Sequence, residues 1–168
     1  MKVGKYFNLE EFTRSQRAEK EKIEEQYTPS DEVIENIKKL ATKVADPIRE
    51  KFGSFSPSSG YRCERLNKSV GGAKSSKHLL GKAFDETFRK NGVNISASVF
   101  FWLIANKEDV QWTKIIWEYG NSENPDWLHI EHVEGENQQV LLKLGGSPYM
   151  NYFDTSFYTK HKEKGLIK

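Results

Sequence analysis

Apolar residues recur at helical spacing early in the chain and in strand-like runs later, and this order constrains the fold more than any other feature. Val33, Ile37, Leu40, Val44 and Ile48 would line one face of a long helix. Thr28-Pro29-Ser30-Asp31 announces its start, with a capping hydroxyl, a proline at the first helical position and an acid three residues after the cap. Pro47 removes an amide donor and should kink this helix or split off its last turn, with Gly53 as terminator. A helical turn from Arg62 to Val70 ends at Gly71-Gly72, and Ser96 to Asn106 forms an apolar helix around Phe100, Phe101, Leu103 and Ile104. Residues 83–88, 114–119 and 127–133 read as strands, and 139–144 could add another. Helices lead and strands cluster in the second half. This favours an α+β fold, a small antiparallel sheet with helices packed on it, over an alternating winding.

A length of 168 residues suits one domain spanning 1–168, and no repeat, low-complexity tract or linker divides it. The 26 basic and 24 acidic residues nearly cancel and are spread along the chain, so the basic footprint of a nucleic-acid binder is missing. The mixed-sign runs Arg17 to Glu25 and Lys160 to Lys164 read as a solvated helix face or a frayed tail, and His161 is expected to be solvated with them. Cys63 is the only cysteine, which rules out an internal disulfide and a thiolate zinc site. Residues 1–12 have no apolar run of signal-peptide length, and nothing approaches a membrane span. The expectation is therefore a monomer made in the cytoplasm without a signal peptide, reaching any outside target by another exit route.

Two of the four histidines sit in company that makes a metal site worth considering. His78 is followed by Gly81, which lets the backbone turn tightly, and by Asp85 at the opening of a strand. His129 lies on an apparent strand just after a turn built on Asn124-Pro125. Two histidines and one carboxylate are the ligand set of many catalytic zinc sites, which leave one position for water. The helical His-Glu-x-x-His signature is absent. Asp126 would be free to act as base, although Glu131, on the same strand face as His129, competes for that role. His132, three residues beyond His129, points to the opposite face and is not expected to be a ligand.

Ser59-Gly60-Tyr61-Arg62, Leu66-Asn67, Val70-Gly71-Gly72, Ser76-x-His78-x-x-Gly81-x-Ala83-x-Asp85 and Trp127-x-His129 together resemble the ordered motifs of the zinc D-alanyl-D-alanine carboxypeptidase family. That family includes vancomycin-resistance D,D-carboxypeptidases and phage L-alanyl-D-glutamate endopeptidases. The likeness extends over about residues 5–140, leaving an extension of about 141–168 that matches nothing. It implies a zinc-centred cleft with one Zn2+ ion held by His78, Asp85 and His129, and Asp126 as the catalytic acid/base. It further implies that Arg62 polarises the carbonyl or holds a substrate carboxylate, and that Ser76 orients the substrate or its loop. Glu118 stands where relatives often carry an acid and would orient a ligand histidine from behind. The implied activity is hydrolysis of an amide next to a D-amino acid in peptidoglycan stem peptides, in the setting of phage lysis. The alternative is a zinc fold that binds cell wall without turnover, as a hedgehog-like module or a virion protein.

Overall fold

The helical repeat between Val33 and Ile48 forms, as a continuous helical run with a π segment inside it. The computed structural model describes residues 1–167. Its contacts cluster into two compact units, one from Met1 to Asp85 and the other from Glu86 onward. The first unit carries α1 (Leu9–Thr13), α2 (Gln16–Glu21), α3 (Asp31–Leu40), α4 (Asp46–Phe52) and α5 (Glu64–Ser69). The cap of α3 is Ser30 rather than Thr28, with Ser30 Oγ accepting from the Val33 amide at 3.4 Å. Thr28 instead closes the 3-10 turn Glu24–Tyr27, its amide donating to the Glu25 carbonyl, so the helix begins two residues later than the sequence suggests.

Between α3 and α4 the backbone widens into a π-turn at Ala41–Ala45. The wide turn lets Pro47 enter within the first turn of α4, where its missing N–H matters least. Gly53 ends α4 at φ 95°. Ile37, Leu40, Ala41, Val44 and Ile48 are fully buried, as are Phe7, Phe12 and Phe84. Phe12 meets Phe7 and Phe84 edge-on at 5.5 and 6.3 Å. Ala18, Ile23, Cys63 and Leu66 form a smaller cluster with Tyr61 packed against it.

The strand β1 (Ala83–Glu86) closes the first unit, and its Asp85 bridges to Ser59. The second unit contributes β2 (Arg89–Lys90) and β3 (Val93–Asn94), a small hairpin turning on Asn91-Gly92, both at positive φ. It continues with α6 (Ser96–Ala105), β4 (Lys114–Glu118), β5 (Trp127–Glu131), β6 (Gln139–Lys143), β7 (Met150–Asn151) and α7 (Ser156–Glu163). Strand order across these is β5-β4-β6-β7. The sheet is mixed: β4 pairs antiparallel with β5, but parallel with β6. Topology requires this, because β5 runs back along β4 and a strand crossing from its end to the other edge of β4 must run with β4.

Alternation then sorts the side chains. Ile115, Trp117, Leu128, Ile130, Val140 and Leu142 fall on one buried face. Lys114, Ile116, Glu118, Trp127, His129 and Glu131 share the other.

The charged tail is not frayed. Phe157 and His161, four residues apart on α7, point the same way while Lys160, Lys162 and Lys164 stay exposed. His161, expected to be solvated, is 1 % exposed. Its Nδ1 accepts from Tyr152 OH at 2.6 Å, and its Nε2–H donates to the Ser122 carbonyl at 2.6 Å. Lysines on three sides hid the inward stripe of this helix. Among the described residues no helix is long and apolar enough to cross a membrane.

Candidate metal centre

His78 sits on a 3-10 turn, Lys77–Leu80, started by Ser76, whose Oγ accepts from the His78 amide at 3.4 Å. Gly81 ends the turn at φ 67°, which directs the chain into β1 and brings Asp85 back toward the imidazole. The ring is oriented by Gly60. His78 Nδ1 lies 2.6 Å from the Gly60 carbonyl, which can only accept, so the proton belongs on Nδ1. Nε2 then faces the Asp85 carboxylate at 3.2 Å. A neutral imidazole lone pair against a carboxylate is repulsive, and a cation between them, a second proton or a metal ion, removes the conflict. His78 is buried, and the Asp85 side chain is 13 % exposed.

Gly60 is a glycine for a steric reason: a Cβ there would lie 2.3 Å from the Phe12 carbonyl oxygen. Next to it, the backbone around Arg62 is held on both sides. The Tyr61 amide donates to Phe12 O at 2.7 Å, and the Arg62 amide donates to His78 O at 3.1 Å. Buried Gln26 donates to the Tyr61 carbonyl at 2.7 Å and accepts from the Cys63 amide at 2.9 Å. Arg62 can therefore reach Asp85 Oδ2 at 2.6 Å through Nη2 while Nε binds Ser59 Oγ at 2.9 Å. Sequence reasoning missed Gln26, because a lone glutamine in a charged stretch carries no motif.

His129 is placed by the sheet instead. It lies opposite Ile116 on the polar face of β4 and β5. Its Nε2–H donates to Glu131 Oε1 at 2.9 Å, which leaves the lone pair on Nδ1. Glu131 is 5 % exposed and also accepts from Lys114 Nζ at 3.1 Å. Burial pushes its carboxyl up, but the His129 and Lys114 contacts together outweigh burial and hold it below the usual carboxylate range. The acid competing for the base role is thus bound to a histidine and a lysine. Glu118, named for orienting a histidine, stands two positions from Ile116 on the same face as His129.

Asp126 is exposed and lies just before β5. Its backbone is fixed: the amide donates to Glu118 O at 3.0 Å, and the carbonyl accepts from Thr87 Oγ1 at 2.6 Å. The preceding turn is pinned as well, with Asn94 Nδ2 on the Pro125 carbonyl and Asn124 Oδ1 on the Ala97 amide at the start of α6. His132 turns away and donates Nδ1–H to the Gln111 carbonyl at 2.5 Å.

His78, Asp85 and His129 together make a candidate metal-binding group. The donor types fit zinc: two imidazole nitrogens whose other ring nitrogens are hydrogen-bonded, plus one carboxylate. Among the described residues this is the one such group of three or more histidine, cysteine or acidic side chains. The family model described as Peptidase M15 matches residues 5–131. No curated protein matches the chain.

Proposed function

The chain belongs to the Peptidase M15 family of zinc-dependent metallopeptidases, and on that premise we propose that it hydrolyses an amide next to a D-amino acid in peptidoglycan stem peptides, as a phage-type lysis enzyme. The observation that carries this reading is the His78 imidazole, aimed by the Gly60 carbonyl and held 3.2 Å from the Asp85 carboxylate, inside the stretch that the family model matches. Zinc in such a donor set supplies Lewis acidity, which makes a water nucleophilic near neutral pH and polarises an amide carbonyl. In this reading His78 offers Nε2, His129 offers Nδ1 and Asp85 a carboxylate oxygen.

The Asp126 carboxylate takes a proton from the attacking water and delivers one to the leaving amine; its exposure lets substrate reach it. Arg62, held beside Asp85, presents its planar fork to the scissile carbonyl or to a substrate carboxylate. Ser76 keeps the His78 turn in shape, and Glu118 helps Glu131 to orient the ring of His129.

Mass spectrometry of purified sacculi tests the reading and identifies the bond. The wild-type protein should release new amino termini, and Asp126→Ala should lose that activity by at least ~100-fold. Equal digestion by the two would remove Asp126 from the base role. A zinc-loaded protein that releases no amine would favour a wall-binding module. Zinc content gives an independent reading: stoichiometric metal retained by His78→Ala would overturn that ligand.

A further inference from the structure

Beside Arg62, within the first unit, lies an open groove of 830 Å³. Three arginines line it, Arg14, Arg17 and Arg62, against one acid, Glu19. The guanidiniums are tethered rather than loose. Arg14 Nη2 reaches the carbonyls of Ser56 and Pro57 at 3.4 and 3.3 Å. Arg17 holds Glu21 through Nε and the Ser69 carbonyl through Nη2. Arg62 uses Nε and Nη2 on Ser59 and Asp85. Among the described residues, Nη1 of all three has no hydrogen-bond partner, so each fork keeps donors for a ligand.

Between the arginines the surface is apolar. Tyr61, Leu66 and Val70 line the same groove, and Val70 is 47 % exposed. Burial, followed by the nearby Cys63, Glu64 and Glu25, pushes the Tyr61 phenol up, so it remains neutral. Cationic forks around an apolar strip suit a chain in which carboxylates alternate with small aliphatic groups. A nucleic acid would call for a longer basic track, and the near-balanced charge of the chain argues against one.

We infer that this groove is a substrate-binding surface that selects peptides bearing free carboxylates, with Arg14 and Arg17 as specificity-determining residues remote from the bond that is cut. The inference rests on the peptidase reading for its choice of ligand but uses none of the proposed metal ligands. The groove holds the carboxylate-bearing stretch of the peptide while Arg62, shared with the candidate centre, marks the end nearest the chemistry.

The test is binding of L-alanyl-γ-D-glutamyl-L-lysine, and of its analogue with the D-glutamyl α-carboxylate converted to the carboxamide, by calorimetry to the full-length zinc-loaded protein carrying Asp126→Ala, so that the probe is not consumed. The acid should bind about tenfold more tightly than the amide, and its affinity should fall as NaCl rises from about 0.05 M to about 0.5 M. Arg17→Gln and Arg14→Gln should each weaken acid binding about fivefold and leave amide binding unchanged. Arg14 also braces two carbonyls, so Arg17→Gln, whose arginine is tethered at the surface, keeps the test valid if the first variant misfolds. Zinc content should not change in either. Equal affinity for acid and amide, or variants that bind the acid like wild type, would overturn the groove assignment. Carboxylate-selective binding without hydrolysis of sacculi would support the groove while defeating the peptidase reading, which separates the two failures.

Discussion

The two histidines of the candidate metal group are held by different kinds of structure. His78 sits on irregular backbone, and its ring is aimed by the carbonyl of Gly60, a residue squeezed against Phe12. His129 sits on a regular strand, and its ring is aimed by a side chain two residues away, Glu131, itself pinned by Lys114. In the first region orientation depends on where the main chain runs. In the second it depends on register, because a shift of one residue in β5 would turn His129 and Glu131 to the apolar face together.

This contrast predicts where each region breaks. Gly60→Ala should be the most damaging single change. The added methyl has only backbone to displace, and the loss should be about 3 kcal/mol or more, read as a drop of roughly 6–12 °C in thermal melting. A Gly60→Ala protein that melts like wild type would show that the loop is not main-chain limited. Glu131→Ala should cost about 2 kcal/mol by leaving Lys114 unpaired in a largely buried place, and should weaken zinc binding about 10- to 100-fold in competition with a chelator.

A third histidine serves as a control. His161 is as buried as His78 and equally well bonded, yet its partners are Tyr152 and Ser122 and no acid lies in its bonding shell. Tyr152→Phe should destabilise by about 1.5 kcal/mol, because the His161 Nδ1 acceptor loses its donor, with zinc content unchanged. The smallest effect belongs to the outer surface of the same helix. Lys164 and Lys160 hold the Glu123 carboxyl below the usual range, so their contribution is present above the unfolded carboxylate pKa and fades as pH falls through the lower folded value. These groups are exposed, and Glu123→Gln should melt indistinguishably from wild type in high salt.

Elements with a long apolar period or a dense motif were legible in the sequence. The repeat from Val33 to Ile48 gave the helical face, and Ser76 to Asp85 gave the turn-and-strand that carries His78. Less legible were features decided by contacts far along the chain. Gln26 matters because it spans Tyr61 and Cys63, 35 and 37 residues away. Glu131 could be placed on the face of His129 by alternation, but its bond to the ring needed the strand itself. The parallel pairing of β4 with β6 followed from which edge the chain crossed to, and no local pattern records that choice. His161 was hidden by composition, since a helix of lysines needs only one inward stripe to dock.

The crossing of β6 to the far side of β4 has a practical consequence for anyone trimming the protein. The family match stops at Glu131, eight residues before β6 begins, so a fragment cut at that point would turn the middle strand of the β5-β4-β6-β7 array into a naked border. Its main-chain amides and carbonyls from Lys114 to Glu118, flanked by Ile115 and Trp117, would invite a neighbouring copy to add on by strand pairing. Such a fragment should precipitate or form oligomers on concentration, whereas one that retains Gln139–Lys143 keeps that border covered.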